Sequence, residues 1–184
     1  MQATMVILLT GETGSGKTMA LQQILPELEK SGILVGGVLA PGRFPDSGPK
    51  EYDLELYPGG EKYFLSTRNK HKDWQVIGGF WFNPVAVEAG LRHLRCLPLK
   101  TFHLYLLDEI GPFELDGLLW APKIPDLLNK GIPMIWTVRS DIIQQVCSKW
   151  ELKNPDIIIQ EKGQIGKTMA SIRKWLKKNI QELS

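Results

Sequence analysis

Eight consecutive residues, Gly11-Glu12-Thr13-Gly14-Ser15-Gly16-Lys17-Thr18, fit the pattern G-x-x-x-x-G-K-[ST] in full. Each part of that pattern has a physical task. Glycines carry no Cβ, so consecutive backbone N–H groups can turn inward around one anion. A helix opening near Lys17 aims its positive end at the same anion. The Lys17 ammonium then reaches the β- and γ-phosphates, and the Thr18 hydroxyl is placed to ligate Mg²⁺. The expected substrate is ATP or another nucleoside triphosphate, with Mg²⁺ as cofactor. Further along, the apolar run Leu104–Leu107 ends in Asp108-Glu109. A carboxylate at the carboxyl end of a buried strand lies in the crevice where open α/β sheets bind ligands. Asp108 is expected to meet Thr18 at the metal, directly or through water. Glu109 is expected to orient or deprotonate a water that attacks the γ-phosphate.

Phosphoryl transfer also needs positive charge on the γ-phosphate beyond Lys17 and the metal. The chain has six arginines: Arg43, Arg68, Arg92, Arg95, Arg139 and Arg173. Arg43 and Arg139 each follow a strand-like run, at the expected carboxyl edge of the sheet, and are the candidates for that charge. Arg92 and Arg95, one turn apart, read as a surface stripe. So short an arginine supply leaves room for a partner that lends one. It also keeps open a slow nucleotide-dependent switch. A small-molecule or nucleotide kinase is a third reading, with the Pro/Gly-rich segment 41–50 as a lid. The second GKT, Gly166-Lys167-Thr168, has Glu161 where the cradle needs its first glycine, and reads as the start of a last helix. His71, His93 and His103 show no ligand spacing. His103 reads as a satisfied structural residue. The six tryptophans read first as packing residues, with Trp120, just after the acidic turn, the one placed to meet a ligand.

These residues must be positioned by strands and helices in alternation. Met5–Thr10 and Ile33–Ala40 read as buried strands, and Thr101–Leu107, Ile132–Val138 and Asp156–Gln160 as further strands. Tyr52–Tyr57 and Lys62–Ser66 flank PGGE and read as a hairpin. Trp74–Phe82 reads as one strand with a glycine break. Helices are expected over Lys17–Lys30, with Pro26 kinking or stopping it, from Asn83-Pro84 through Arg95, over Leu115–Lys130 with interruptions at its prolines, over Asp141–Trp150 and over Ile165–Leu183. The expected fold is α/β: a mostly parallel sheet with helices on both faces and an antiparallel edge hairpin, in one domain over residues 1–184.

With both motifs located, the chain resembles the small P-loop nucleoside-triphosphatase family first described from thermophiles, of the RecA-like branch that carries a catalytic glutamate. The likeness is carried by GETGSGKT at 11–18, GGVLAP at 36–41, IGGFWFNP at 77–84, LLDEIGPFEL at 106–115 and PMIWTV at 133–138. The order and spacing match over most of the chain. The resemblance implies Mg²⁺-dependent hydrolysis of nucleoside triphosphates to diphosphates with broad base tolerance. Phe113 replaces a usual Met, Arg43 alone remains of an acidic-then-Arg string, and Arg139 stands where the family often has His.

Composition closes off other classes. Hydrophobic residues make up 43% and charged residues 23%, enough apolar material for a core without a disulfide or metal staple. Twenty-two Lys+Arg against 20 Asp+Glu give a net charge of +2, which is no footprint for a nucleic-acid backbone. Cys96 and Cys147 have no C-x-x-C spacing and read as reduced thiols of a cytoplasmic protein. No apolar stretch approaches the roughly 18 residues of a membrane span. The opening MQATMVILLTG reads as a strand and not as a signal peptide. The basic final helix, with Lys167, Arg173, Lys174, Lys177 and Lys178, reads as a docked helix with a solvated face.

Overall fold

The computed structural model describes residues 5–43, 50–96 and 102–180. Ten strands form one mixed sheet: β1 (Val6–Gly11), β2 (Val35–Leu39), β3 (Gly42–Arg43), β4 (Glu51–Tyr57), β5 (Glu61–Thr67), β6 (Gln75–Ile77), β7 (Phe80–Phe82), β8 (Leu104–Ile110), β9 (Met134–Arg139) and β10 (Asp156–Ile159). Six α-helices accompany them: α1 (Lys17–Lys30), α2 (Pro84–Cys96), α3 (Pro112–Leu115), α4 (Ile124–Leu128), α5 (Ile143–Lys149) and α6 (Ile165–Asn179).

The strand order is β10-β1-β9-β8-β2-β4-β5-β7-β6, with β3 paired to β4. The five strands from β10 to β2 run parallel. From β4 onward every pairing is antiparallel. The parallel strands inside the edge are apolar on both faces, as strands covered twice must be, whereas the edge strand β10 leaves Ile157 and Ile159 exposed. In β1, Val6 and Leu8 pack on one side of the sheet and Ile7 and Leu9 on the other. Leu21, Ile24 and Leu25 of α1 join Met169, Ile172 and Trp175 of α6 on the second side. Ala86, Leu94, Ile124, Leu127 and Val146, from α2, α4 and α5, cover the first. Each fully buried aliphatic side chain contributes roughly 1.5–3 kcal/mol, so the two half-cores hold the parallel strand ends rigidly in line.

The antiparallel part is larger than the single hairpin expected. Gly78 and Gly79 both take positive φ, 55° and 80°, and turn residues 75–82 into a second hairpin instead of one interrupted strand. Two successive left-handed residues make a tight turn whose twist suits the flanking strands. Pro26 neither stops nor shortens α1, which runs to Lys30. Pro26 faces solvent, so water can serve the carbonyl its ring leaves unpaired. Of the helix expected over 115–130 only a 3₁₀ turn at Ala121–Lys123 and α4 form, α3 having ended at Leu115. Positive φ at Gly117 (84°) and Leu119 (49°) interrupts it before the prolines are reached. Thr101 and the residues beyond Ile180 lie outside the described residues, as does most of the segment 41–50. Among the described residues no helix is long and apolar enough to cross a membrane.

Candidate active site

β1 runs straight into the glycine loop, and α1 leaves it. Gly11, Gly14 and Gly16 have φ of 150°, 77° and 97°, values that L side chains rarely adopt. A Cβ on Gly11 would stand 2.4 Å from the Gln160 carbonyl oxygen. Gln160, buried at the end of β10, braces the loop from below. Its backbone N–H donates to Thr10 O at 2.7 Å, and its side-chain amide donates to Ser15 O at 3.1 Å. Glu12, Thr13 and Gly14 stand open at the loop's crest. The buried Lys17 ammonium donates to Gly11 O at 3.0 Å and Glu12 O at 2.9 Å. Burial lowers its pKa below the ordinary lysine range, and the charges of Glu109 and Asp108 pull it back upward.

The acidic end of β8 lies two strands from β1, with β9 between them. A regular strand sends successive side chains to opposite faces. Here the β8–β9 register shifts between Leu107 and Ile110, and Glu109 takes φ 59°. The bulge re-aims the chain so that both carboxylates act on Lys17. Asp108 is fully buried. Its Oδ2 accepts the Ala40 N–H at 3.0 Å, and its Oδ1 accepts the Thr18 hydroxyl at 3.2 Å. The Thr137 hydroxyl also donates to Oδ1, and itself accepts the Glu109 N–H at 2.7 Å. One β9 side chain thus fixes both acidic residues. Glu109 is open to water yet deep in its cleft, and desolvation followed by the Asp108 charge raises its pKa to about 7. Lys17, Lys50 and Arg139 oppose that rise.

A cleft of about 290 Å³ opens beside the loop, with Thr13, Gly14, Lys17, Glu109 and Arg139 at its polar end. Arg139 closes on Asp141 through two bonds, Nε to Oδ1 at 3.1 Å and Nη2 to Oδ2 at 2.6 Å. Arg43 goes elsewhere. It bonds Glu51 at 3.1 Å and Asp53 at 3.2 Å, lies 4.6 Å over the Phe64 ring, and is not among the described residues that line the cleft.

A protein-family model described as NTPase matches residues 6–170. The chain belongs to that NTPase family. This NTPase is 24% identical over 150 residues to the nucleoside-triphosphatase THEP1 of Methanothermobacter thermautotrophicus, covering 81% of this chain and 84% of that one. It is 28% identical over 120 residues to the nucleoside-triphosphatase THEP1 of Ignicoccus hospitalis, covering 65% and 64%. Its fold matches the crystal structure of THEP1 from the hyperthermophile Aquifex aeolicus with a TM-score of 0.70 at 18% identity, over 94% of this chain and 99% of that one. The solution structure of a human cancer-related nucleoside triphosphatase matches with a TM-score of 0.71, also at 18% identity, over 96% and 98%. The NTPase is therefore an enzyme of nucleoside-triphosphate hydrolysis.

Several side chains around the NTPase's loop and cleft carried little sequence signal. Thr137 and Gln160 are polar residues at the carboxyl ends of apolar strands, and that position was the only clue to them. Lys50, Arg68 and Glu114 line the cleft from segments far apart in the chain. Trp120 reaches the cleft wall but is buried, in keeping with a packing role. His103 Nδ1 accepts the Leu34 N–H at 2.9 Å, a structural bond. The second GKT opens α6, with Thr168 buried, and Arg173 pairs with Glu27 of α1 at 2.6 Å.

Proposed function

We propose that this NTPase cleaves the β–γ bond of a Mg²⁺-bound nucleoside triphosphate held on residues 11–18. Asp108 and Thr18 suit that metal. Both offer hard oxygen, they lie in contact, and Asp108 is already fixed by hydrogen bonds from the Ala40 N–H and the Thr137 hydroxyl. When bound, Mg²⁺ neutralises charge on the β- and γ-phosphates and fixes their orientation.

The chain's own residues divide the remaining work. The loop amides and Lys17 bind and orient the triphosphate. Glu109 accepts a proton from the attacking water. The water oxygen bonds to the γ-phosphorus as the bond to the β–γ bridging oxygen breaks, and the electron pair stays on the diphosphate. Lys17 and Arg139 face the charge that develops. Arg43, held by Glu51 and Asp53, has no part in this reading. The observation that carries it is the bond from Thr18 to Asp108 across 90 residues of sequence, with Glu109 turned into the same cleft.

The test is phosphate release from a panel of nucleoside triphosphates, with Mg²⁺ or with EDTA, by the wild type and Lys17→Ala. The expected result is Mg²⁺-dependent release with several bases, falling by about 10²-fold or more without Lys17. Release that persists in EDTA, or that ignores Lys17, contradicts it.

A further inference from the structure

The cleft is longer than a γ-phosphate requires. Past Glu109 it continues against Tyr52, Phe80, Phe82, Phe113 and Trp120. These rings come from β4, β7, α3 and the turn after α3, so the fold has gathered them. Phe82 and Phe113 meet edge to face at 5.5 Å, and Phe80 and Phe113 at 6.3 Å. Tyr52, Phe80 and Phe113 are only half-buried, which leaves part of each ring facing the cleft. Two cations sit on this wall: Arg68 lies 4.7 Å over Phe80 and Lys50 4.5 Å over Tyr52.

Glu114 lies at the same end and is 1% exposed. Its Oε2 accepts the Gly111 N–H at 2.8 Å and so caps α3. Among the described residues its Oε1 has no hydrogen-bond partner. Capping explains one oxygen and leaves the other buried and unpaired, a costly arrangement that a ligand would relieve.

We propose that the aromatic end of the cleft is a second ligand subsite, taking a small planar nitrogen heterocycle whose ring nitrogen meets Glu114 Oε1 and whose face lies against Phe80 and Phe113. The subsite rests on the reading that a triphosphate occupies residues 11–18. In that reading the nucleoside leaves the loop from its α-phosphate, whereas the cleft continues past the γ-phosphate. The nucleotide's own base is therefore at the other end. Size narrows the occupant further. The whole cleft, about 290 Å³, lies near the lower limit of about 300–1,000 Å³ for small-molecule sites, and its polar end is taken by phosphate. What remains suits one ring system. Burial also raises the Glu114 pKa to about 8, with the backbone amides of Gly111, Glu114 and Trp120 opposing the rise. In the neutral acid Oε2 is the oxygen that accepts from Gly111, so Oε1 carries the proton and donates it to a ring nitrogen.

Saturation-transfer NMR on the full chain tests this with adenine, cytosine and nicotinamide as probes, with and without AMP-PNP and Mg²⁺. Benzamide serves as the isostere of nicotinamide that lacks the ring nitrogen. At least one heterocycle is expected to bind alongside AMP-PNP, and benzamide at least tenfold more weakly than nicotinamide where nicotinamide is the binder. Glu114→Gln keeps an N–H donor and should retain the probe, while Glu114→Met and Phe113→Ala should each lose at least tenfold in affinity. Circular dichroism verifies that each variant folds, and Phe113→Ala serves if Glu114→Met does not. The subsite is refuted if no heterocycle binds in either state, if AMP-PNP displaces the probes, or if the folded variants bind like wild type. AMP-PNP signals in the same samples report on the loop separately. Heterocycle binding without AMP-PNP binding would refute the triphosphate reading and, with it, the assignment of this end as a site apart from a nucleotide's own base.

Discussion

The Thr137 hydroxyl serves two masters: it donates to Asp108 Oδ1 and accepts the Glu109 N–H. Thr137→Val keeps the shape and removes both bonds, leaving a buried carboxylate and a strained amide short of partners. Such a loss costs about 1–3 kcal/mol. The expected outcome is that much lost in urea denaturation, with turnover down about tenfold or more, while Thr137→Ser retains most of both. A Val variant as active and as stable as wild type would show that the hydroxyl positions nothing. At this scale the phosphate loop was legible because its spacing is chemistry: glycines, Lys17 and Thr18 must be neighbours in sequence to surround one anion. Asp108 and Glu109 were legible because they end an apolar run. Thr137 and Gln160 were not, because each gains its role only when distant strands align. Arg43 illustrates the converse. Its place after β2 looked apt, but Glu51 and Asp53, brought beside it by β4, claim its charge.

Elements were legible where burial dictates them. The continuous apolar runs became parallel strands within three residues of their expected bounds, and a strand covered on both faces, as β1 is, has little freedom to be anything else. Glycine pairs and proline clusters were harder. Gly78-Gly79 reads equally as a break or a turn, and only pairing of β6 with β7 decides. Pro26 marks a weak point in α1 that the packing of Leu21, Ile24, Leu25 and Leu28 overrides. Pro26→Ala should return a helical bond, an interior proline costing about 3 kcal/mol, against roughly 1 kcal/mol of unfolded-state freedom regained. The melting temperature should rise by several degrees, at about 2–4 °C per kcal/mol for a chain of this size. Phosphate release should be unaltered, because Pro26 lies two turns beyond Thr18. A lower melting temperature would mean that α1 depends on the proline.

The whole molecule carries a charge penalty that pH exposes. Burial raises the Glu114 pKa from 4.5 to about 8, so the folded chain keeps a proton that the unfolded chain releases. Stability therefore falls as pH climbs from about 4.5 to about 8. Glu109, raised in the same direction, adds to the slope, while Lys17, Lys50 and Arg139 oppose its rise. Melting curves at pH 5, 7 and 9 should show that decline in the wild type and a shallower one in Glu114→Gln. Equal slopes would mean that Glu114 does not titrate in this window. The sheet that buries Glu114 is also what brings residues 11–18, 108–109 and 137 to one edge, and the central claim concerns that edge: Glu109 activates water against a triphosphate held by the loop. The most direct measurement is turnover of Mg²⁺-ATP by Glu109→Gln beside its affinity for Mg²⁺-AMP-PNP. Affinity should stay within about threefold of wild type while turnover falls about 10²-fold or more. Turnover equal to wild type, at unchanged affinity, would contradict it.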